Sequence, residues 1–159
     1  MENYVQYIGL RPRVEKQGSH GLFSQEDEPI NIYEVAKEVS EHQGIVSGED
    51  IENIINKARA YNAEAAKRIL IKGKAVLSAD AAKILASNNI LLYGNKSQTV
   101  GPENAPMEVH KILLGADVVL LEGIRLSEVP EGVYLLNSAP LNLSGAEGSP
   151  CRAVLIDLN

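Results

Sequence analysis

The chain has 159 residues, 45% of them apolar and 23% charged, with no Trp and a single Phe. That length and balance suit one globular domain whose core is built from Ile, Leu, Val and Ala, and they exclude wholesale disorder. The net charge of −6, with Lys and Arg scattered, disfavours nucleic acid as a partner. No window is long and apolar enough to predict a membrane span, and the N-terminus lacks a signal-peptide pattern, so the expected setting is cytoplasmic. The single Cys151 cannot close an internal disulfide, which suits a reducing compartment.

In chain order, Val5 to Leu10 is apolar and predicts one short strand ending before Pro12. Residues 14–30 are polar, carry Gly18, Gly21 and the acidic run Glu26-Asp27-Glu28, and predict a solvated loop. Asn31 with Glu34 three positions on resembles a capping box and predicts a helix to about His42, stopped by Gly44. His42 at that helix end carries no assigned function. Ser47-Gly48-Glu49-Asp50 opens a second helix with an apolar face of Ile51, Ile54, Ile55 and Ala58, running with or without a kink to Lys67.

Ile69 to Ile71 predicts a strand, and Ser78 caps a helix over Ala79 to Ser87 that ends at Asn88-Asn89. Ile90 to Tyr93 predicts a strand, and Asn95 to Ala105 a polar loop. Pro106 suits the first turn of a helix that contains His110 and ends near Gly115. Val118 to Leu121 predicts a buried strand, and Val133 to Leu136 and Ala153 to Ile156 predict two more, with a Gly-, Ser- and Pro-rich loop between. The alternation predicts an α/β fold, a mixed or parallel sheet covered by helices, in one domain over 1–159.

The segment His110-Lys-Ile-Leu-Leu-Gly115-Ala-Asp-Val-Val-Leu-Leu-Glu122 carries the most specific signal. It resembles the metal-dependent cyclase and kynurenine formamidase family, in which a His precedes a Leu-Leu-Gly-Ala run and a Glu ends the next strand. Leu77 to Leu85, Gly94 to Val100, Leu126 to Gly132, Ala139 to Leu141 and Gly145 to Ala153 resemble further family segments in order. The resemblance covers about half of the chain and implies the family's swivelling β/β/α domain, with shortened N-terminal strands. It also implies a homo-oligomer and a small-molecule substrate or ligand. It makes Gly145 to Gly148 a turn; that stretch lacks the Lys and following helix of a phosphate loop.

The family's N-terminal signature, His-x-Gly-Thr-His-x-Asp-x-Pro-x-His-Phe, is matched by Lys16-Gln-Gly18-Ser-His20-Gly-Leu22-Phe-Ser-Gln-Glu26. Gly18 and His20 agree and Ser19 stands for Thr, but Lys16 replaces the first His, Leu22 the Asp and Glu26 the third His. Family members hold one or two zinc or manganese ions, and such an ion lowers the pKa of water and polarises a carbonyl. Leu22 cannot bridge two ions and Lys16 repels them, so the resemblance leaves His20, His110 and Glu122 as metal ligands for one ion, or for none. Two His and one carboxylate suffice for catalytic zinc in other hydrolases.

Two functions stay open on the sequence. In the first, the resemblance implies a metal-dependent amide hydrolase that opens a C–N bond in a small formamide or cyclic amide. His20, His110 and Glu122 then hold one zinc or manganese ion, and Glu26 is the catalytic base that shuttles the proton. In the second, the chain is an inactive relative that binds a small ligand or a partner subunit. His20 then belongs to a plain glycine-flanked loop, His110 is an ordinary helix His, and a Lys96–Glu122 salt bridge neutralises the buried carboxylate. Cys151 has no nearby base in sequence and is expected to be inert.

Overall fold

The computed structural model describes residues 6–9, 29–34 and 44–157. Ten strands and three helices alternate along them. The strands are β1 (Gln6–Gly9), β2 (Pro29–Glu34), β3 (Ile45–Val46), β4 (Arg68–Lys72), β5 (Val76–Leu77), β6 (Leu92–Asn95), β7 (Val119–Glu122), β8 (Gly132–Asn137), β9 (Gly148–Cys151) and β10 (Val154–Ile156). The helices are α1 (Gly48–Tyr61), α2 (Ala79–Ser87) and α3 (Pro106–Gly115).

Each helix starts at a local signal, a side-chain cap for two of them and a proline for the third. Ser47 and Asp50 form a reciprocal capping box on α1, with the Ser47 Oγ accepting from Asp50 N at 3.2 Å and Asp50 Oδ2 accepting from Ser47 N at 2.8 Å. Ser78 Oγ accepts from Ala81 N at 3.1 Å to open α2. Pro106 occupies the first turn of α3, where its missing N–H is not needed. Helix α1 stops at Tyr61 because the Asn62 side chain turns the chain: its Oδ1 accepts from the N–H groups of Glu64 and Ala65 at 3.0 Å each. Residues Ala65–Lys67 then form a separate 3₁₀ turn.

Eight strands form one mixed sheet in the order β10-β8-β2-β4-β6-β7-β1-β9, and β3 pairs with β5 in a small parallel sheet. The centre, β2-β4-β6-β7, is parallel, and antiparallel strands flank it on both sides. The sheet is strongly curled. Laid flat, its outer strands would sit about 34 Å apart at about 4.8 Å per strand gap. Yet β9 and β10 are those outer strands, and only Arg152 and Ala153 join them. That link reaches about 11 Å at most, so the two edges must approach each other.

Side chains alternate across this sheet into two cores. Tyr33, Ile69, Ile71, Tyr93 and Leu120 join the helices' buried faces, including Ile51, Ile55, Leu85, Val109 and Leu113. Ile30, Ile32, Leu70, Leu92, Leu121, Tyr134 and Leu136 fill the opposite side. Gly94 is closely packed within that second core: an added Cβ would meet Leu70 Cδ2 at 2.5 Å and the Leu121 carbonyl oxygen at 3.0 Å.

Three expectations differ from the structure. Residues 31–34, read as the start of a capped helix, belong to β2, bonded in parallel to β4 and antiparallel to β8. Period two wins there: Ile30 and Ile32 are buried on one face and Tyr33 on the other. The remainder of that expected helix, to His42, lies outside the described residues. Gly148–Cys151, read as part of the loop between two strands, is strand β9. Its Pro150 is tolerated because β9 is an outer strand. The strand expected at Ile90 to Tyr93 sits two residues later, at Leu92–Asn95.

Candidate functional site

The parallel strands β6 and β7 both end, in the chain direction, at the same edge of the sheet. In open α/β sheets this edge is where ligand sites form. Glu122 is the last residue of β7, and α3 runs just before it, so the helix carries His110 over the strand end. The apolar pattern of α3 fixes that rotation: Val109 and Leu113 are fully buried in the helix-side core, and His110, one step round, is half-buried beside them.

His110 Nε2 and Glu122 Oε1 are 3.2 Å apart, with side chains 24% and 15% exposed. His110 Nδ1 lies 2.7 Å from the Pro106 carbonyl oxygen, one helical turn back. A carbonyl accepts only, so Nδ1 carries a proton and donates it. Nε2 then holds either a second proton, donated to Glu122, or a lone pair aimed at the same place. The bond to Glu122 holds the His110 pKa above its ordinary value; burial opposes this, and the Pro106 bond and the Glu122 charge add to it.

Glu122 has a second partner. Val100 donates its backbone N–H to the same Oε1 at 2.8 Å. Val100 belongs to the loop between β6 and α3, which is tied to both flanking segments. Gly123 donates to the Ser97 carbonyl at 2.9 Å, and Leu77 donates to the Val100 carbonyl at 2.7 Å. Gly101, the next residue, packs directly on Pro106: an added Cβ would lie 2.8 Å from the Pro106 carbonyl oxygen. The dipeptide Val100-Gly101 therefore touches both halves of the pair, the carboxylate itself and the carbonyl that orients the imidazole.

The sequence reading named His110 and Glu122, and the fold brings them into contact. His20 and Glu26, the other two named site residues, lie outside the described residues. The Lys96–Glu122 salt bridge is not formed among the described residues; Val100 and His110 hold the carboxylate instead. Sequence reasoning missed Val100 and Gly101, whose contributions are a backbone N–H and a missing Cβ. Cys151 is buried, which pushes its thiol up to about 11, and it forms no disulfide, as an inert core thiol should.

The pair has the chemistry of two metal ligands. Two donors bound to one tetrahedral ion at about 2.1 Å lie about 3.4 Å from each other, close to the 3.2 Å found here. An imidazole whose other N–H is fixed by a backbone carbonyl is also the usual second layer of a metal-ligating His. Among the described residues no third His, Cys, Asp or Glu joins them in a group able to hold an ion. No described helix is long and apolar enough to cross a membrane.

No protein-family model matches the chain. It is 36% identical over 83 residues to a kynurenine formamidase of Erythrobacter litoralis, a stretch covering 52% of this chain and 38% of that protein. It is 39% identical over 79 residues to cyclase-like protein 3 of Oryza sativa subsp. japonica, covering 48% of this chain and 29% of the relative. The chain thus spans well under half the length of these curated relatives. Its fold resembles that of a potential metal-dependent hydrolase with cyclase activity, with a TM-score of 0.73 at 23% identity, over 94% of this chain and 76% of the other. It also resembles an isatin hydrolase bound to thioisatinate, with a TM-score of 0.65 at 19% identity, over 82% of this chain and 60% of the other. Over about half of its length the chain is thus similar in sequence to the cyclase and kynurenine formamidase family, and its fold is similar to that of cyclase-type hydrolases.

Proposed function

We propose that the chain is a metal-dependent hydrolase that opens the C–N bond of a small formamide or cyclic amide. One observation carries the reading: His110 Nδ1 is committed to the Pro106 carbonyl at 2.7 Å, so Nε2 faces the Glu122 carboxylate at 3.2 Å as a preoriented ligand pair. His20 is the third ligand and Glu26 the general base in this reading, both drawn from the sequence motif. A zinc or manganese ion, when bound, lowers the pKa of water and polarises the substrate carbonyl. The chain's own part is positional: Pro106 sets the imidazole tautomer, and the Val100 N–H fixes which way Glu122 presents its oxygens. The kynurenine formamidases among the relatives support the substrate class. The reading extends to the family's swivelling β/β/α domain with shortened N-terminal strands, and to a cytoplasmic homo-oligomer.

A second reading has its own support. The signature positions hold Lys16, Leu22 and Glu26 where His, Asp and His are expected. A His110–Glu122 bond is also self-sufficient as an ion pair, without an ion between them. An inactive relative that binds a small ligand or a partner subunit would look the same at this pair. Metal analysis of protein purified without chelator separates the two. The hydrolase reading expects about one ion per chain, a lower melting temperature in EDTA, and hydrolysis of N-formylkynurenine that His110→Ala and Glu122→Gln abolish. Protein that binds neither zinc nor manganese, with stability indifferent to EDTA, would sink it.

A further inference from the structure

Two polar side chains sit where the main core would be cheaper to fill with apolar ones. Tyr93 and Asn95 point from the same face of β6, and both are fully buried. Burying an amide or a hydroxyl costs free energy unless it is paired. They share one acceptor: Tyr93 Oη and Asn95 Nδ2 each donate to the Ala75 carbonyl oxygen at 2.7 Å. That uses both lone pairs of the carbonyl. Asn95 does so although its own Oδ1 is left buried without a partner among the described residues.

Ala75 lies in the short segment from Gly73 to Leu77, which is stitched at both ends to the loop after β6. Lys96 donates to the Gly73 carbonyl at 3.2 Å, and Leu77 donates to the Val100 carbonyl at 2.7 Å. Val100, buried in the same core, turns its own N–H onto Glu122 at 2.8 Å. The chain of contacts thus runs from Tyr93 and Asn95 to Ala75, along two residues to Leu77, across to Val100 and out to the carboxylate.

We propose that Tyr93 and Asn95 are positioning residues for Glu122, acting through the Ala75 carbonyl and the Val100 N–H. The inference rests on the reading of His110 and Glu122 as the functional pair, since it explains why a central strand carries this buried polarity. Each donor holds the Ala75 carbonyl in part, so losing one loosens the 73–77 segment. Losing both frees the 73–77 segment, and with it the aim of Val100.

The test uses the full metal-free chain labelled with 15N, as wild type, Tyr93→Phe, Asn95→Leu and the double variant. Amide hydrogen exchange is read at Val100 and at Val119, whose N–H bonds to the Leu91 carbonyl just before β6 and takes no part in this network. Each single variant is expected to speed Val100 exchange by about threefold relative to Val119, and the double variant by at least about tenfold, more than the singles combined. A merely structural role would speed both amides in step, and that result overturns the proposal. If the double variant does not fold, the single variants decide: no selective effect at Val100 in either overturns it. Zinc titration by calorimetry then separates this inference from the function it deepens. Wild type that binds no zinc, with Val100 exchange as expected, removes the hydrolase reading and keeps the positioning role. Zinc binding by wild type, with unchanged Val100 exchange in the variants, does the reverse.

Discussion

Replacing Gly101 with Ala tests whether the loop and α3 hold the site by contact. A Cβ at Gly101 would lie 2.8 Å from both the Cα and the carbonyl oxygen of Pro106, and 3.2 Å from its carbonyl carbon. Reaching ordinary contact at 3.4 Å requires a displacement of about 0.6 Å, and the atoms in the way are backbone, which no rotamer change can move. Gly101 is not among the glycines with positive φ, so the cost is steric alone. Overpacking of this kind costs about 1–3 kcal/mol, and at this size each kcal/mol lowers Tm by about 2–4 °C. Gly101→Ala should therefore melt about 2–12 °C below wild type by circular dichroism. It should also shift the His110 Nδ1–H resonance, because the displaced oxygen is its acceptor at 2.7 Å. Gly115→Ala is the control: its Cβ would meet nothing within 4 Å, and Gly is a poor helix residue, so that variant should match or slightly exceed wild type. A Gly101→Ala protein with wild-type Tm and an unmoved His110 resonance would refute the account.

Three further outcomes follow from the packing and the charges. Gly94→Ala places a Cβ 2.5 Å from Leu70 Cδ2 and 3.0 Å from the Leu121 carbonyl in the middle of the sheet, and urea unfolding should show a loss of about 3 kcal/mol or more. The raised His110 pKa makes its bond to Glu122 a low-pH stabiliser. The contribution is complete below the unfolded value near 6.5 and fades as pH rises through the higher folded value. Metal-free wild type should thus exceed Glu122→Gln by about 1–2 kcal/mol more at pH 5.5 than at pH 9; an equal margin at both pH values contradicts the pairing. Cys151, 7% exposed with its thiol pushed up to about 11, should resist iodoacetamide at pH 8 in native protein and react promptly once the chain is unfolded in urea.

Much of this fold was legible because its helices announce themselves locally. Ser47 with Asp50, Ser78 and Pro106 are short-range signals that act over one turn, and each marks the helix start found in the structure. The strands β2 and β9 were not legible for the opposite reason. Asn31 and Glu34 have the spacing of a cap, but what decides that stretch is pairing with β4 and β8, more than thirty residues away. Pro150 argues against a strand unless one already knows that β9 is an outer one. At the site, the spacing from His110 to Glu122 was readable from a family resemblance, whereas Val100 and Gly101 leave no mark that a pattern could find. Any residue can supply a backbone N–H, and a glycine needed for close approach looks like any loop glycine.

That asymmetry bears on how the site can change its chemistry. Pro106 removes one nitrogen of His110 from the contest, so a proton and a divalent ion must compete for the other. Glu122 favours whichever arrives, since its carboxylate attracts both. The outcome is then set by what else converges on the point: three or more ligands give the ion several bonds that a proton cannot make, whereas His110 and Glu122 by themselves are satisfied by the proton. In the proposed alignment, Lys16, Leu22 and Glu26 take the signature positions that would decide this. Lys16→His and Leu22→Asp together should therefore raise zinc affinity if His20 reaches the pair, since each adds a donor to the same ion. Calorimetry that finds identical zinc binding in the restored and the natural chain would show that the N-terminal motif does not meet His110 and Glu122 at all.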